Sequence, residues 1–358
     1  MFNWKRLFSG SRQVIGVDVG SDSLKLAEVL DTPQGPFLNK FAQVSLPRGV
    51  IVNGELAEPS MFAEKLALLS SSCGCQRRPA VAALSGNSVM VKKVNFNQME
   101  EGELRELLRD EGSKYLPFED FSEVYLDFQV LRGSDVNPNQ MEVLIVAAKK
   151  DLVDGYASAF LEAGHGLVIM DVDSYALETM YEENYEFAEE DVVALINIGA
   201  STTSINVVKG GMSIFTRAFS LGGNIMTEGI QRSRGGTFEE AERMKIAGHF
   251  KADPEEDSIV DNLVIYAEPI LQEIEGSIDY VKFQTREFVK EAIISGGSAN
   301  IQGLDKAIAD RLNIEATIVN PFKKIHYNSK FISPETIGKI GPAAAVGIGL
   351  ALRRVGDR

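Results

Sequence analysis

The stretch VIGVDVGSDSLKLAEV, at Val14–Val29, decides the fold of this chain. Its first four residues are apolar or glycine and lead into Asp18 and Gly20, whereas Leu24–Val29 alternates between apolar and polar side chains. Apolar runs bounded by glycine and small polar residues are typical of strands joined by a tight turn. The stretch therefore predicts a β-hairpin with a turn at Ser21-Asp22-Ser23.

The turn of this hairpin has the composition of an anion-binding site. Gly20 allows the backbone to approach a ligand, and the amides of Ser21–Ser23 can point at phosphate oxygens. Asp18 lies at the end of the first strand, where its carboxylate can hold a hydrated Mg²⁺. The alternative is an ordinary hairpin with a solvated Asp18, and the rest of the chain has to decide between the two.

The same pattern occurs a second time. Val17–Ser23 (VDVGSDS) aligns with Ile196–Thr202 (INIGAST), and Asp18 and Asn197 lie half the length of the 358-residue chain apart. Each turn is followed by a predicted strand, a glycine turn and a returning strand. Repeats on this scale indicate a duplicated architecture. The sequence therefore predicts two similar domains, and chance similarity between two glycine turns is the less favoured interpretation.

Composition limits the class of protein. The hydrophobic share of 44% and the charged share of 24% are ordinary for a globular protein, and the length is sufficient for two domains. The net charge of −15 argues against a nucleic-acid surface and against electrostatic attachment to anionic lipid. No apolar run approaches the ~20 residues that cross a bilayer. Amphipathic Met1–Phe8 is predicted to contact a membrane surface or a partner, or to pack on its own domain.

Periodicity predicts the elements around the two hairpins. Short apolar runs predict buried strands, which include Ala80–Leu84, Leu167–Val172, Val192–Ile198 and Glu291–Ile294. Apolar residues at helical spacing predict helices, which include Pro59–Leu69, Met99–Tyr115, Asp151–Ala163, Ser174–Tyr185, Phe238–Ala247, Ile259–Phe288, Leu304–Leu312 and Thr336–Arg354. The mixture predicts an α/β protein in which sheets are covered by helices.

A third glycine-rich turn, SGGSAN at Ser295–Asn300, follows a buried strand and precedes a helix. Its glycine pair is suited to lie flat against a base or a sugar. The chain contains neither GxxxxGK[ST] nor a GxGxxG after a strand, which excludes the two commonest phosphate-binding loops. Three glycine turns in this order predict a nucleotide-binding cleft.

At these turns the chain resembles the actin-like ATPase superfamily. The resemblance implies an actin-like (ribonuclease H-like) duplicated two-domain α/β fold that binds ATP with Mg²⁺. Five stretches match the phosphate-1, first connecting, phosphate-2, adenosine and second connecting elements of that superfamily, in this order: Ile15–Leu26, Leu167–Glu178, Leu195–Asn206, Ile294–Gly303 and Ile340–Leu352. A sixth, FEEAERMK at 238–245, resembles the helix whose Glu and Lys approach ribose and adenine.

The resemblance implies a role for individual residues. Asp18 and Asp173 are the candidate catalytic residues, and Asp18 would also hold Mg²⁺ through water. The residues implied to contact the ATP phosphates are Gly20, Ser21, Asp22, Ser23, Lys25, Asn197, Gly199, Ala200, Ser201, Thr202 and Thr203. The residues implied to contact adenosine or ribose are Glu242, Lys245, Gly296, Gly297, Ser298 and Asn300.

A narrower resemblance, over nearly the whole chain, is to the PilM family of type IV pilus assembly proteins, in the pilus and cell-division branch. It also rests on EGSKYLPF at Glu111–Phe118, YLDFQVL at Tyr125–Leu131, VLIVAAKKDLVDGYASAFLEAG at Val143–Gly164 and SLGGNIMTEGI at Ser220–Ile230. This branch carries a small inserted α+β subdomain. The implied domains are a first actin-like domain (1–87), the inserted subdomain (88–165), the first connection and return to the first domain (166–190), a second actin-like domain (191–339) and a second connecting helix (340–358).

The narrower resemblance implies a cytoplasmic ATP-binding scaffold, peripheral to the inner membrane through partner proteins. The implied partner is the cytoplasmic N-terminal tail of PilN, an extended segment that lies in a groove between the first domain and the inserted subdomain. Extended pairing with side-chain pockets is a known mode of peptide capture. Other pilus platform proteins and the assembly ATPase are further candidate partners. Nucleic acid and a transmembrane segment are not expected.

One position departs from the superfamily pattern. Most members carry Asp where this chain has Asn197, and Asn keeps the shape and an acceptor oxygen but loses the charge. ATP binding is therefore expected, with weak or absent hydrolysis. Two alternatives stay open: a self-associating filament protein of the cell-division type, and a metabolic phosphotransferase of the same fold with Asp171 or Asp173 as its base.

Overall fold

The computed structural model describes residues 14–118, 120–133, 139–248, 263–329 and 333–355. The amphipathic segment predicted at Met1–Phe8 lies outside these residues, as does the first part of the helix predicted at Ile259–Phe288.

Strands and helices alternate along the described chain. The strands are β1 (Ile15–Val19), β2 (Ser23–Thr32), β3 (Gly35–Ser45), β4 (Ile51–Val52), β5 (Glu55–Leu56), β6 (Ala80–Leu84), β7 (Val89–Asn97), β8 (Val124–Gly133), β9 (Gln140–Lys149), β10 (Leu167–Val172), β11 (Val192–Ile198), β12 (Thr203–Lys209), β13 (Met212–Phe219), β14 (Glu291–Ser295), β15 (Glu315–Ile318) and β16 (His326–Tyr327). The α-helices are α1 (Pro59–Cys73), α2 (Glu101–Glu111), α3 (Lys150–Glu162), α4 (Asp173–Asn184), α5 (Asn224–Arg234), α6 (Phe238–Gly248), α7 (Glu268–Thr285), α8 (Leu304–Leu312) and α9 (Pro334–Ala351).

Two sheets repeat one topology. The first has the strand order β10-β6-β1-β2-β3-β16, and the second has the order β13-β12-β11-β14-β15. In each, an antiparallel meander of three strands continues into two strands that are parallel to its first strand. Asp18 pairs with Lys25 at the end of the first hairpin, and Asn197 pairs with Ser204 at the end of the second. The duplication predicted from the two glycine turns is therefore present in the strand pairing.

The first sheet places chemically active residues along one edge. Because β1, β6 and β10 are parallel, their carboxyl ends meet on the same side of the sheet. Asp18 lies near the end of β1, and Asp173 directly follows β10. Helix α1 packs against the hairpin. Its Phe62, Leu66 and Leu69 are buried at helical spacing in the same core as Ile15 and other hairpin residues.

The inserted subdomain has a sheet and a core of its own. Its three antiparallel strands have the order β7-β9-β8. Leu104 and Leu108 of α2 are fully buried against the sheet, together with Phe128 and Ile145. This composition of three strands and one helix agrees with the small α+β subdomain that the resemblance implies.

Helices α4 and α9 join the two domains and cross in close backbone contact. A Cβ added at Gly349 of α9 would lie 1.7 Å from the carbonyl oxygen of Ala176 in α4. A Cβ added at Gly16 of β1 would lie 2.3 Å from the carbonyl oxygen of Gly347. Real side chains do not approach backbone atoms this closely. The contact between α9 and α4 therefore requires glycine at Gly349, and the contact between β1 and α9 requires glycine at Gly16.

Three short strands were not predicted. Strands β4 and β5 form a two-stranded hairpin between β3 and α1. His326–Tyr327 pairs in parallel with Phe37–Leu38 of the first sheet, although the predicted second domain runs to residue 339. A two-residue strand is too short to show the alternation from which strands are recognised.

Candidate functional site

The two predicted phosphate turns lie face to face. The N–H of Gly20 donates to the carbonyl oxygen of Ser23 at 3.1 Å, and the N–H of Gly199 donates to that of Thr202 at 2.9 Å, so the two turns have the same backbone bond. The Oγ atoms of Ser21 and Ser201 lie 2.7 Å apart. Tertiary structure therefore brings the two repeated turns together, and the pair of turns at Ser21–Ser23 and Ala200–Thr202 is called the clamp below.

Asp18 and Lys25 form an ion pair on the first-domain side of the clamp. Lys25 Nζ lies 3.2 Å from Asp18 Oδ2, and the two side chains are only 12% and 18% exposed. Helix α9 passes behind Asp18, because a Cβ at Gly347 would lie 3.7 Å from the Asp18 Cβ. The pair places a cation and a carboxylate beside the facing turns, which suits a phosphate and a hydrated Mg²⁺ respectively.

The third glycine turn is built against the second phosphate turn. Ser295 Oγ lies 3.4 Å from Asn197 Oδ1, and Ser298 Oγ donates to the carbonyl oxygen of Gly199 at 3.1 Å. Gly296 has a φ of +92°, and a Cβ there would lie 2.3 Å from the carbonyl oxygen of Ile198. Gly297, in contrast, faces open space. The predicted flat surface at the glycine pair is therefore open only on the Gly297 side.

The close packing of Gly222 and Gly223 against the second phosphate turn was not predicted from the sequence. The two glycines directly precede α5. A Cβ at Gly222 would lie 2.7 Å from the carbonyl oxygen of Ala200, and one at Gly223 would lie 2.3 Å from Ser298 Oγ. The N–H of Gly223 donates to the carbonyl oxygen of Gly199 at 2.8 Å. The glycine pair thus completes the wall around the second turn, and the signal for it was the double glycine before a helix.

Glu242 and Lys245 bond to each other rather than extending toward a ligand. Lys245 Nζ lies 2.7 Å from Glu242 Oε2, 2.8 Å from Thr227 Oγ1 and 3.2 Å from the carbonyl oxygen of Gly223. The lysine is 5% exposed, and these three contacts use its donor capacity. In this arrangement the pair joins α6 to α5, and direct contact of Lys245 with a base stays a prediction.

Asp22 and Asn300 occupy the margins of the predicted site. Burial raises the pKa of Asp22, the charge of Glu242 raises it further, and the lysines Lys25 and Lys245 lower it. The protonation of Asp22 is therefore coupled to the charges of Glu242 and Lys245 on α6. Asn300 Nδ2 donates to the carbonyl oxygen of Lys339 at 3.2 Å, which ties the third turn to α9.

Asp173 is the first residue of α4 and follows β10, whose carboxyl end lies on the same side of the first sheet as the end of β1 that carries Asp18. Burial raises its pKa to about 7, and the charges of Asp18 and Asp171 raise it further, although the N–H groups of Ser174 and Gly86 stabilise the carboxylate. One of its oxygens is buried without a partner in the described structure. It lines a cavity of about 220 Å³ between the domains. A carboxyl group with a pKa near 7 is suited to general acid–base catalysis.

The substitution Asp173→Asn is expected to remove a loss of stability at high pH. The folded pKa of about 7 lies above the ordinary 3.8, so the native state binds more protons than the unfolded state, and the free energy of unfolding falls as the pH rises from about 4 to about 7. The pKa difference of about 3 corresponds to about 4 kcal/mol. The variant should melt several degrees above wild type at pH 8 and together with it at pH 4 in thermal unfolding followed by circular dichroism.

A matched control is Asp110→Asn, because the Asp110 side chain is 67% exposed on α2. It should melt with the wild-type protein at both pH values. Identical melting of Asp173→Asn and wild type at pH 8 would show that Asp173 is not held in a low-dielectric site.

A groove of about 370 Å³ lies where three parts of the molecule meet. The inserted sheet contributes Leu131, Leu144 and Val146, and strand β10 contributes Ile169 and Met170. The β12–β13 turn of the second domain and Arg353 beyond α9 close the groove. Strand β10 is an edge strand of the first sheet, and its residues 169–172 line this groove.

The groove is acidic as well as apolar. Asp127, Asp171, Glu178 and Glu182 line it, and the Asp171 carboxylate accepts from Arg353 Nε at 2.6 Å. Burial raises the pKa of Glu178 to about 7, and the charge of Glu182 raises it further. The groove therefore combines an apolar wall, a strand edge and several carboxyl groups.

A second groove, of about 490 Å³, is also lined by residues of the first domain and of the inserted subdomain. Leu56, Met90, Phe118 and Leu152 line it, together with exposed Gly155 of α3.

Within the ranges given above, no helix has both the length and the apolar composition to span a bilayer.

Comparison with known proteins gives one strong family match. The family described as "Type IV pilus assembly protein PilM" matches residues 16–355 of this chain. A solved structure titled "PilM-PilN type IV pilus biogenesis complex" is similar with a TM-score of 0.83 and 28% identity, over 95% of this chain and 98% of that one.

More distant likenesses concern the fold alone. The ethanolamine utilization protein EutJ from Carboxydothermus hydrogenoformans has a TM-score of 0.57 and 16% identity, over 94% of this chain and 88% of its own. MreB5 of Spiroplasma citri, solved with ADP bound, has a TM-score of 0.54 and 12% identity, over 94% of both chains. Together with the duplicated strand order, these likenesses confirm the predicted actin-like two-domain fold class.

Proposed function

Because this chain belongs to the PilM family of type IV pilus assembly proteins, we propose that it is a cytoplasmic actin-like scaffold that binds ATP and docks the cytoplasmic tail of PilN. The observation that carries the proposal is the likeness to a PilM-PilN complex at 28% identity over 95% of the chain. The scaffold would be held at the inner membrane through its partners. The comparisons give no support to a cell-division filament protein or to a metabolic phosphotransferase.

The facing turns are the proposed site for the ATP phosphates. The Ser21–Ser201 contact aligns two glycine turns with the same backbone bond, and Lys25 supplies a cation beside them. Asp18 would hold Mg²⁺ through water, since Mg²⁺ in proteins usually takes one or two carboxylates and keeps several waters. When bound, Mg-ATP supplies phosphate charge that the turn amides and Lys25 stabilise from both domains.

Binding without appreciable hydrolysis is the proposed chemistry. Asn197 offers an amide where most of the superfamily has a carboxylate, and its Oδ1 lies 3.4 Å from Ser295 Oγ. Asp173 is the candidate general base and lines a cavity between the domains, whereas the missing carboxylate at Asn197 is what disfavours hydrolysis. The proposed use of ATP is therefore to hold the two domains together.

The substitution Gly199→Trp is expected to abolish stabilisation by Mg-ATP, because a side chain at this position would press on the Thr202 carbonyl oxygen, 3.1 Å from its Cβ, and distort the phosphate turn. A ligand at 100 times its dissociation constant stabilises a protein by about 2.7 kcal/mol. The wild-type melting temperature should therefore rise with Mg-ATP, while that of Gly199→Trp should not. Asp18→Ala should weaken the rise by removing the metal-holding carboxylate.

The matched control for this substitution is Gly102→Trp. Gly102 lies on α2 of the inserted subdomain, and a side chain there would enter open space. This variant should keep the full response to Mg-ATP. An unchanged response in Gly199→Trp and Asp18→Ala would refute the assignment of the clamp.

The groove beside β10 is the proposed site for the PilN tail. An extended peptide can pair with the edge of β10 and place alternate side chains against Leu144 and Val146 of the inserted sheet. Residues of both the first domain and the inserted subdomain line this groove, which is the kind of location that the family resemblance implies for the tail. Its contact with the second domain, at the β12–β13 turn, is the proposed route by which nucleotide state affects docking.

The direct test is binding of a fluorescent peptide with the sequence of the PilN cytoplasmic tail to the full chain, measured by anisotropy with and without Mg-ATP. Saturable binding of this peptide, and not of a scrambled peptide, is the expected result. Absence of binding in both conditions would overturn the proposed function. The assignment to the family and the description of the fold would not be affected.

A further inference from the structure

Ser213, near the start of β13, is bonded by all three parts of the molecule. Its N–H donates to Glu178 Oε1 of α4 at 3.1 Å. Its carbonyl oxygen accepts from Lys93 Nζ of the inserted subdomain at 2.6 Å. Its Oγ donates to Asn206 Oδ1 of β12 at 2.8 Å, and the residue is 9% exposed. One buried residue of the second domain is thus fixed by the first domain and by the inserted subdomain.

Glu178 bonds to strand β12 as well as to Ser213 of β13. Its Oε2 accepts from Asn206 Nδ2 at 2.7 Å, and the same amide also donates to the carbonyl oxygen of Ser174 at 3.2 Å. Networks of buried polar groups are costly to break in part, because a group that loses its partner stays away from water. The β12–β13 turn therefore has one well-defined position relative to α4.

This junction is also part of the groove wall. Lys93, Glu178 and Ser213 all line the groove proposed for the tail, and Met212 beside them is 40% exposed. Any rotation of the second domain away from the first would lengthen the contacts of Ser213 with Lys93 and Glu178. The same rotation would move the groove wall that the β12–β13 turn provides.

We infer that Lys93 and Glu178 are positioning residues that, through Ser213, make the affinity for the PilN tail depend on the relative position of the two domains. This inference rests on the proposed function. A nucleotide between the Ser21 and Ser201 turns and a peptide in the groove would both favour the domain arrangement in which the Ser213 bonds are formed. By linkage, each ligand raises the affinity for the other by the same factor.

The test compares Lys93→Met with Lys92→Met. Methionine keeps the length of the side chain but removes the donor to Ser213. Lys92 is the matched control, because its Nζ donates at 2.7 Å to the carbonyl oxygen of Tyr115 within the inserted subdomain. Tail affinity is measured by anisotropy on the full chain, with and without Mg-ATP, and the readout is the ratio of the two dissociation constants.

The wild-type protein and Lys92→Met should show a ratio of about 5 to 150, the range of typical allosteric coupling. In Lys93→Met the ratio should fall to about 1, while Mg-ATP still raises the melting temperature. Glu178→Gln, which keeps one acceptor oxygen, should reduce the ratio in the same direction. These readouts separate positioning from a general loss of structure.

Two results would overturn the inference while the proposed function stands. One is a wild-type protein that binds the tail with the same affinity in both conditions. The other is a Lys93→Met variant that keeps the wild-type ratio. If the wild-type protein binds Mg-ATP but does not bind the tail, the proposed docking function itself is refuted, and the inference falls with it.

Discussion

The substitution Gly349→Ala is expected to lower the free energy of unfolding by about 3 kcal/mol, the upper end of the usual range for overpacking. The new Cβ would lie 1.7 Å from the carbonyl oxygen and 2.6 Å from the carbonyl carbon of Ala176. Both atoms belong to the backbone of α4, so no side-chain rotation can relieve the contact. Relief requires α9 to move away from α4, which loosens the core between the domains. Urea unfolding followed by circular dichroism measures the effect.

The matched control lies on the same helix. Gly338 of α9 is exposed, and a Cβ there would meet no atom within 4 Å. Gly338→Ala should stabilise the protein by up to about 1 kcal/mol, because alanine is the better helix former. The two substitutions should therefore have opposite signs. A Gly349→Ala variant as stable as wild type would show that α4 and α9 are not in backbone contact.

The substitution Thr179→Trp is expected to weaken binding of the PilN tail at least ~100-fold, or about 2.7 kcal/mol. Thr179 is half-buried on α4 and lines the groove between β10, the inserted sheet and the β12–β13 turn. Tryptophan is compatible with a helix, and its indole would occupy space in which the peptide has to lie. The response of the melting temperature to Mg-ATP should remain, because Thr179 is not part of the facing turns. Peptide anisotropy and thermal unfolding measure the two effects.

Gly155→Trp is the control that distinguishes the groove beside β10 from the second groove as the binding site of the tail. Gly155 lines the second groove on α3, and a Cβ there would enter open space. This variant should bind the tail within about twofold of wild type, which is less than 0.5 kcal/mol. The reverse result, with loss of binding in Gly155→Trp alone, would place the tail in the second groove. The assignment to the β10 groove would then be wrong, although the docking function would stand.

The sequence was most informative where structure depends on neighbouring residues. Strands β6, β10 and β11 and helix α8 have the bounds that periodicity predicted. Each has an apolar pattern bounded by glycine or polar residues, and such a pattern is present before any tertiary contact forms. Short strand β16 shows the limit, because it depends on pairing with β3 almost 300 residues earlier.

In the candidate site, too, the local turns were predicted from the sequence, whereas the partners of long side chains were not. The repeat of Val17–Ser23 at Ile196–Thr202 predicted two turns of the same geometry, and their backbone bonds agree. The resemblance implies that Glu242 and Lys245 contact a nucleotide, yet each bonds to Thr227 of the neighbouring helix α5. Partners of a long side chain depend on which helix packs beside it, and no local pattern reports that.

The sequence by itself determined the duplicated actin-like architecture and the family, since glycine turns, strand periodicity and family motifs are properties of short stretches. Only the tertiary structure decided how these stretches act together. Ser213 has no distinguishing local pattern, yet it joins Glu178 of α4 to Lys93 of the inserted subdomain. These residues are far apart in the chain, and the bonds between them form only when three folded units pack against one another. The same packing builds the groove beside β10 and brings the turn at Ser21–Ser23 into contact with its repeat through Ser21 and Ser201.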